Sequence, residues 1–192
     1  MNSETLKRTL DGIKNGDELS FREFFDFYYE RFFRIAHYYV RNNENAEEVV
    51  MDVFVRFWKR RKKLPEIMNF KNYAYSSVKN QSLNYLTKNR LDTKSLDEYT
   101  TSKMIEYVEP ENLFLGRELA KELEREVNKL PPRCQLIYRM IREDGLKYRQ
   151  VAEALNISLK AVKNQMLIAM KRIRSILGDH KMIKLKKKDL LA

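Results

Sequence analysis

The chain has 192 residues, 43% of them hydrophobic, and carries 38 Lys and Arg against 27 Asp and Glu, a net charge of +11. That balance favours a polyanionic partner, nucleic acid before an acidic membrane surface. Its single cysteine, Cys134, excludes an internal disulfide and with His37 and His180 makes no zinc set; no apolar run approaches the ~20 residues that cross a bilayer, and no secretion signal opens the chain, so a cytoplasmic protein is expected.

Five glycines, four prolines and a near absence of strand-like alternation predict an all-α chain. A short first helix is expected over 4–15, ending near Gly16. Residues 18–42 follow as a long aromatic helix or helix pair, with Phe24, Tyr28, Phe32, Ile35 and Ala36 among its apolar positions. Asn43 or Asn45 is expected to cap the next helix, whose apolar face holds Ala46, Val49, Val50, Val53, Phe54, Phe57 and Trp58. Its other face carries Glu48, Asp52, Val55, Arg56 and Lys59, a mixed surface suited to solvent or to a docked partner.

Arg56–Lys63 reads RFWKRRKK, six cations in eight residues, before Leu64-Pro65 stops the helix. Residues 70–90 form another helix, in which Tyr73, Tyr75 and Tyr85 interleave with Lys79, Asn80, Asn84, Lys88 and Arg90. Rings stack on bases while cations hold phosphates, so this mixture suits single-stranded nucleic acid as readily as plain solvent. Residues 91–112 are polar, Ser/Thr-rich and without period, and read as a flexible linker. Two small domains are therefore expected, 1–90 and 113–178, followed by a basic, frayed tail over 179–192.

The second domain reads as four helices. LFLGRELAKELEREVNKL opens it, Leu130-Pro131-Pro132 separates the next helix, and Gly145 closes that one with a left-handed cap. Residues 145–172 then have the pattern of a helix-turn-helix. Val151, Ala152 and Leu155 form the inner face of its first helix, and Asn156 tolerates the left-handed turn. Ser158 caps the second helix, and Val162, Met166, Ala169 and Ile173 recur at helical spacing. Lys160, Lys163, Asn164, Leu167 and Lys171 lie opposite, toward phosphates and base edges.

Three stretches resemble the sigma-70 family of bacterial RNA polymerase sigma factors, and more narrowly its extracytoplasmic-function type. AEEVVMDVFVRFW at 46–58 is similar to the family's A-E-D-x-V-Q-E-x-F-x-R-x-W helix. FKNYAYSSVKNQSLNYL at 70–86 is similar to F-x-x-W-L-x-x-I-A-x-N-x-x-x-D-x-L. Residues 130–177 follow L-P-x-x-x-R and then G-x-S/T-x-x-E-I-A-x-x-L-x-I-S-x-G-T-V-K. The resemblance covers about residues 18–178. It implies a subunit that binds core RNA polymerase and directs promoter-specific initiation, with no enzymatic activity, cofactor, metal or small-molecule substrate of its own.

The resemblance also implies roles. Glu48, Asp52, Val55 and Arg56 would dock on the clamp of the polymerase's largest subunit, with the second domain reaching its flap region. Phe54 and Trp58 also fall on motif positions; either could serve the domain core instead, and Trp58 is the one expected there. Phe70, Tyr73, Lys79, Asn80, Asn84 and Lys88 would recognise and melt the promoter −10 element. Ser158, Lys160, Ala161, Lys163, Asn164, Gln165 and Lys171 would read the −35 element as duplex. An anti-sigma factor is a further expected partner.

The chain departs from the pattern at several places. Met51 stands for the usual Gln, Tyr73 for Trp, Asn84 for Asp, Lys160-Ala161 for Gly-Thr and Gln165 for Arg. Gln suits adenine where Arg suits guanine, so a shifted −35 preference is expected. The competing reading is a helix-turn-helix regulator binding operator DNA without polymerase, but residues 1–90 lack the strand–helix alternation of a receiver domain. An enzyme acting on nucleic acid is disfavoured, because no Gly-rich phosphate loop, metal-ligand set or Ser/His/Asp arrangement is present.

Overall fold

The computed structural model describes the backbone of residues 1–92 and 114–189, and side chains within 1–89 and 120–174. Every regular element among them is helical. Most of the expected linker lies outside the described residues. The chain divides into two compact units, residues 1–104 with 149–156 and residues 105–148 with 157–192.

In the first unit, α1 (Ser3–Lys14) is capped by Asn2, whose side chain accepts from the Thr5 amide at 2.7 Å. Gly12 is required where α1 meets the start of α2: a Cβ there would come within 2.2 Å of Ser20 Oγ. Asp17 caps α2 (Glu18–Val40), accepting from the amides of Leu19 and Ser20. These residues form one helix, not a pair, because nothing inside the run breaks it. It ends at Arg41, whose φ of 56° is left-handed.

Asn42, rather than Asn43 or Asn45, caps α3 (Asn43–Lys59), its Oδ1 accepting from the Asn45 amide at 2.9 Å. The extended backbone at Asn42 puts its side chain over the free amides, a geometry that neither helical neighbour has. A short 3₁₀ turn, Arg61–Glu66, contains Pro65 and leads to α4 (Phe70–Asp92).

α2 packs against α1, α3 and α4, and the 3₁₀ turn packs against α1. The core is aromatic. Phe24, Tyr28 and Phe32 recur every four residues on α2, so their rings share one face. They meet Phe54 and Phe57 of α3 and Phe70 and Tyr75 of α4, with most centroids between 4.7 and 6.4 Å apart. Leu64 is buried and anchors the 3₁₀ turn.

In the second unit, α5 (Phe114–Asn128) and α6 (Pro132–Arg142) pack against α8 (Leu159–Asp189). Pro132 occupies the first turn of α6, where its missing N–H has no partner to lose. Residues Cys134 to Met140 are all buried. The Arg139 guanidinium is held there by Glu124, by Glu143 at 2.5 Å and by Asn128 Oδ1 at 2.9 Å. Burial alone would lower the Arg139 pKa, but the two carboxylates raise it. Gly145 adopts φ 71° after α6, as expected.

The tail differs from expectation. α8 runs through Gly178 to Asp189, where the sequence predicts a frayed end. One interior glycine costs only about 1 kcal/mol relative to Ala, and the Lys, Leu, Met and Ile that follow are adequate helix formers.

Candidate nucleic-acid and docking surfaces

The helix-turn-helix sequence becomes two helices joined by a tight turn. α7 (Tyr148–Leu155) buries Val151, Ala152, Ala154 and Leu155. Asn156 follows with φ 54°, left-handed as the sequence predicts. Ser158 Oγ accepts from the Ala161 amide at 3.1 Å and starts α8. Val162, Met166, Ala169 and Ile173 are all buried.

Lys160, Lys163, Asn164 and Lys171 are exposed and share one side of α8, with Leu167 between them at 69% exposure. Ser158 is exposed but occupied as the cap, and Ala161 is half-buried. Gln165 is also half-buried, on the flank of that face, and its backbone carbonyl accepts from the Cys134 thiol at 3.2 Å. Burial pushes that thiol's pKa up, so it stays protonated and able to donate.

On α4, Tyr73, Ser77, Asn80, Asn84 and Lys88 follow one another at spacings of four, three, four and four, and so form one stripe. Asn80, Asn84 and Lys88 are exposed and Tyr73 is half-buried. Lys79 lies on the other shoulder of the exposed surface, beside exposed Leu83. Phe70 belongs elsewhere. It is 5% exposed, with Phe24 at 5.7 Å and Phe57 at 5.9 Å, so it seats the start of α4 in the core and is not offered to nucleic acid.

The expected docking face of α3 is open. Glu48 and Asp52 are exposed, and Met51 and Val55 stand at 45% and 51%. Phe54 is buried, and Trp58 lies at the core edge, 4.8 Å from the Phe21 ring. Arg56 Nη2 donates to Gln81 Oε1 at 2.5 Å, and Gln81 Nε2 donates to Asp52 Oδ2 at 2.9 Å.

Sequence reasoning missed Gln81, which no motif marks. It also assigned no role to the cation run after α3. Lys59, Arg60, Lys62 and Lys63 are exposed there, while Arg61 folds back over the Trp58 ring and donates to the Trp58 carbonyl at 3.1 Å. Among the described residues, no cluster of His, Cys, Asp and Glu is arranged to hold a metal ion.

Comparison with known proteins gives these surfaces their context. The family description "Sigma-70 region 2" matches residues 24–91, and "Sigma-70, region 4" matches residues 120–173. The chain is 21% identical over 183 residues to the ECF RNA polymerase sigma factor SigW of Bacillus subtilis (strain 168), covering 91% of this chain and 97% of that one. A solved structure of CnrH in complex with the cytosolic domain of CnrY covers 90% of this chain and 97% of its own, at 14% identity and a TM-score of 0.49.

The two region matches, in order and spanning the helices just described, define an RNA polymerase sigma factor. The chain belongs to the sigma-70 family, in its extracytoplasmic-function type. Its function is to act with core RNA polymerase on promoter DNA in transcription initiation.

Proposed function

We propose that three separate surfaces divide this work. Glu48, Asp52, Val55 and Arg56 on α3 dock on the clamp of the polymerase's largest subunit. Tyr73, Asn80, Asn84 and Lys88 on α4, with Lys79 on its shoulder, recognise and open the −10 element. Lys160, Lys163, Asn164 and Lys171 on α8 read the −35 element as duplex, with Ser158, Ala161 and Gln165 at the edges of that contact. The second domain also reaches the polymerase flap region. Two promoter contacts joined by 91–112 act at high effective concentration once both are tethered to polymerase.

The supporting observation is the exposed face of α8, where Lys160, Lys163, Asn164 and Lys171 surround Leu167 opposite a buried apolar stripe. A rigid helix so divided fits the major groove. The cation run at 59–63 adds phosphate contacts that carry no sequence information. Domain limits of 1–90 and 113–178, a cytoplasmic location and the absence of catalysis belong to the same reading. No helix among the described residues is long and apolar enough to cross a membrane. Control by an anti-sigma factor follows from the resemblance and from exposed apolar side chains such as Val55 on α3.

The test mixes the full chain with bacterial core polymerase on fragmented genomic DNA and maps transcript starts. Discrete starts sharing −35 and −10 elements, absent without the protein, are expected. Lys163→Ala should lower use of the −35 element, and Asn80→Ala should impair opening. Specific duplex binding with no affinity for core polymerase would instead favour the operator-binding regulator.

A further inference from the structure

We propose that Gln81 is a positioning residue for polymerase binding, a latch on α4 that holds Asp52 and Arg56 of α3 in their docking arrangement. The inference rests on the reading of those two side chains as clamp contacts. Asp52 and Arg56 are four apart on one helix, close enough for a direct ion pair. Each is bound instead to the Gln81 amide. The amide's two ends differ in kind: its oxygen accepts from the cation and its nitrogen donates to the anion. Partners of opposite sign therefore fix its orientation, and it fixes theirs.

What the latch leaves unused matters as much. It engages Oδ2 of Asp52 and Nη2 of Arg56. Oδ1 of the carboxylate and the remaining guanidinium N–H groups stay available to an incoming protein. Two rotamer-rich side chains are thus ordered before docking, which removes part of the entropy cost of ordering them at the interface. The latch also ties the docking helix to the helix carrying the Asn80 and Asn84 stripe.

The chemistry allows a sign-resolved test. Gln81→Leu removes both bonds. Gln81→Glu keeps the bond from Arg56 but repels Asp52. Adding Asp52→Asn to Gln81→Glu supplies a new donor and remakes the latch. The affinity of each full-length variant for core polymerase is measured by titration of a fluorescently labelled chain, with thermal unfolding alongside. Gln81→Leu is expected to weaken binding roughly three- to tenfold with an unchanged unfolding midpoint. Its effect should vanish in an Asp52→Ala, Arg56→Ala background. Asp52→Asn should cost less when added to Gln81→Glu than when made in the wild-type chain.

Wild-type or tighter affinity for Gln81→Leu, while Asp52→Ala and Arg56→Ala each weaken binding, would overturn the latch and leave the docking face standing. If Gln81→Leu lowers the unfolding midpoint, the double variant Gln81→Glu with Asp52→Asn decides: recovery of affinity relative to Gln81→Glu alone supports the latch, and no recovery overturns it. Wild-type affinity for both Asp52→Ala and Arg56→Ala would bring down the docking reading and the latch with it.

Discussion

α4 and α8 both turn amides and lysines outward, yet they are built differently. α8 buries a regular stripe, Val162, Met166, Ala169 and Ile173, and turns lysines outward around the exposed side chains of Leu167 and Ile168. α4 mixes its faces. It buries Ser82, whose hydroxyl is satisfied by the Val78 carbonyl at 2.9 Å, and begins its exposed stripe with the half-buried Tyr73 ring. A rigid face of lysines beside an amide suits the phosphate rows and base edges of a duplex, while a surface that sets a ring among amides suits bases that have left the stack.

The strongest way to break that comparison is a promoter whose −10 element is already open. On duplex templates, Asn80→Ala with Asn84→Ala should lower open-complex formation by roughly ten- to a hundredfold, since two amide hydrogen bonds to bases are together worth about 1–3 kcal/mol. A template mismatched across the −10 element should restore most of that loss. Lys160→Ala with Lys163→Ala should gain little from the same mismatch. Equal rescue of both variants would mean that the two helices do not divide melting from duplex recognition.

A second test asks whether α8 depends on the buried cation beneath its unit. Arg139 has a side chain only 9% exposed, whereas Glu124 and Glu143 are 46% and 32% exposed and would rehydrate once the guanidinium is gone. Arg139→Ala should therefore cost about 1–3 kcal/mol, below the range for a fully buried pair. Chemical denaturation of the full chain would read it. Arg139→Met fills the volume without the charge and should cost less. α4 function on the pre-opened template should survive either change.

A third test counts phosphate contacts. Each of Lys160, Lys163 and Lys171 removed should reduce the slope of log affinity against log salt by ~0.9 for duplex DNA. Lys59, Lys62 and Lys63 should each reduce it as well, without changing the preferred sequence. Gln165→Arg should leave the slope nearly unchanged and move −35 preference only if the flank of α8 reaches a base.

The contrast between the helices also explains what could be read in advance. α8 was legible because its period is clean, and the turn before it because Asn156 and Ser158 are chemically suited to their backbone states. Only its motif position points Phe70 to DNA, whereas its spacing of four and eight from buried Ala74 and Val78 puts it in the core. A phenylalanine in a family motif then looks functional when it is core. Gln81 was invisible for a different reason: its role exists only once α3 and α4 lie side by side, and no local spacing encodes that. The Asn42 cap turned on one extended residue among three closely spaced asparagines. The expected linker offered nothing to check, since most of it lies outside the described residues.

The smallest expected effect concerns the first unit and pH. His37 lies near the end of α2, stacked on Phe33 at 5.9 Å, with its Nε2 buried and unpartnered. A helix C-terminus favours a cation, yet burial wins and holds the imidazole below its usual value of 6.5. Above that pH the ring is neutral in both folded and unfolded chains and contributes nothing. As the pH falls below it, the unfolded chain takes up a proton that the folded one refuses, so stability declines. The decline stops once the pH passes below the folded value. His37→Gln should flatten this part of the stability profile, measured by denaturation between pH 7.5 and about 5, and leave the carboxylate-driven loss at lower pH in place. A slope unchanged by the substitution would mean that the ring takes up its proton as readily in the folded chain as in the unfolded one, and that the aromatic core of the first unit admits more water at the end of α2 than its packing implies.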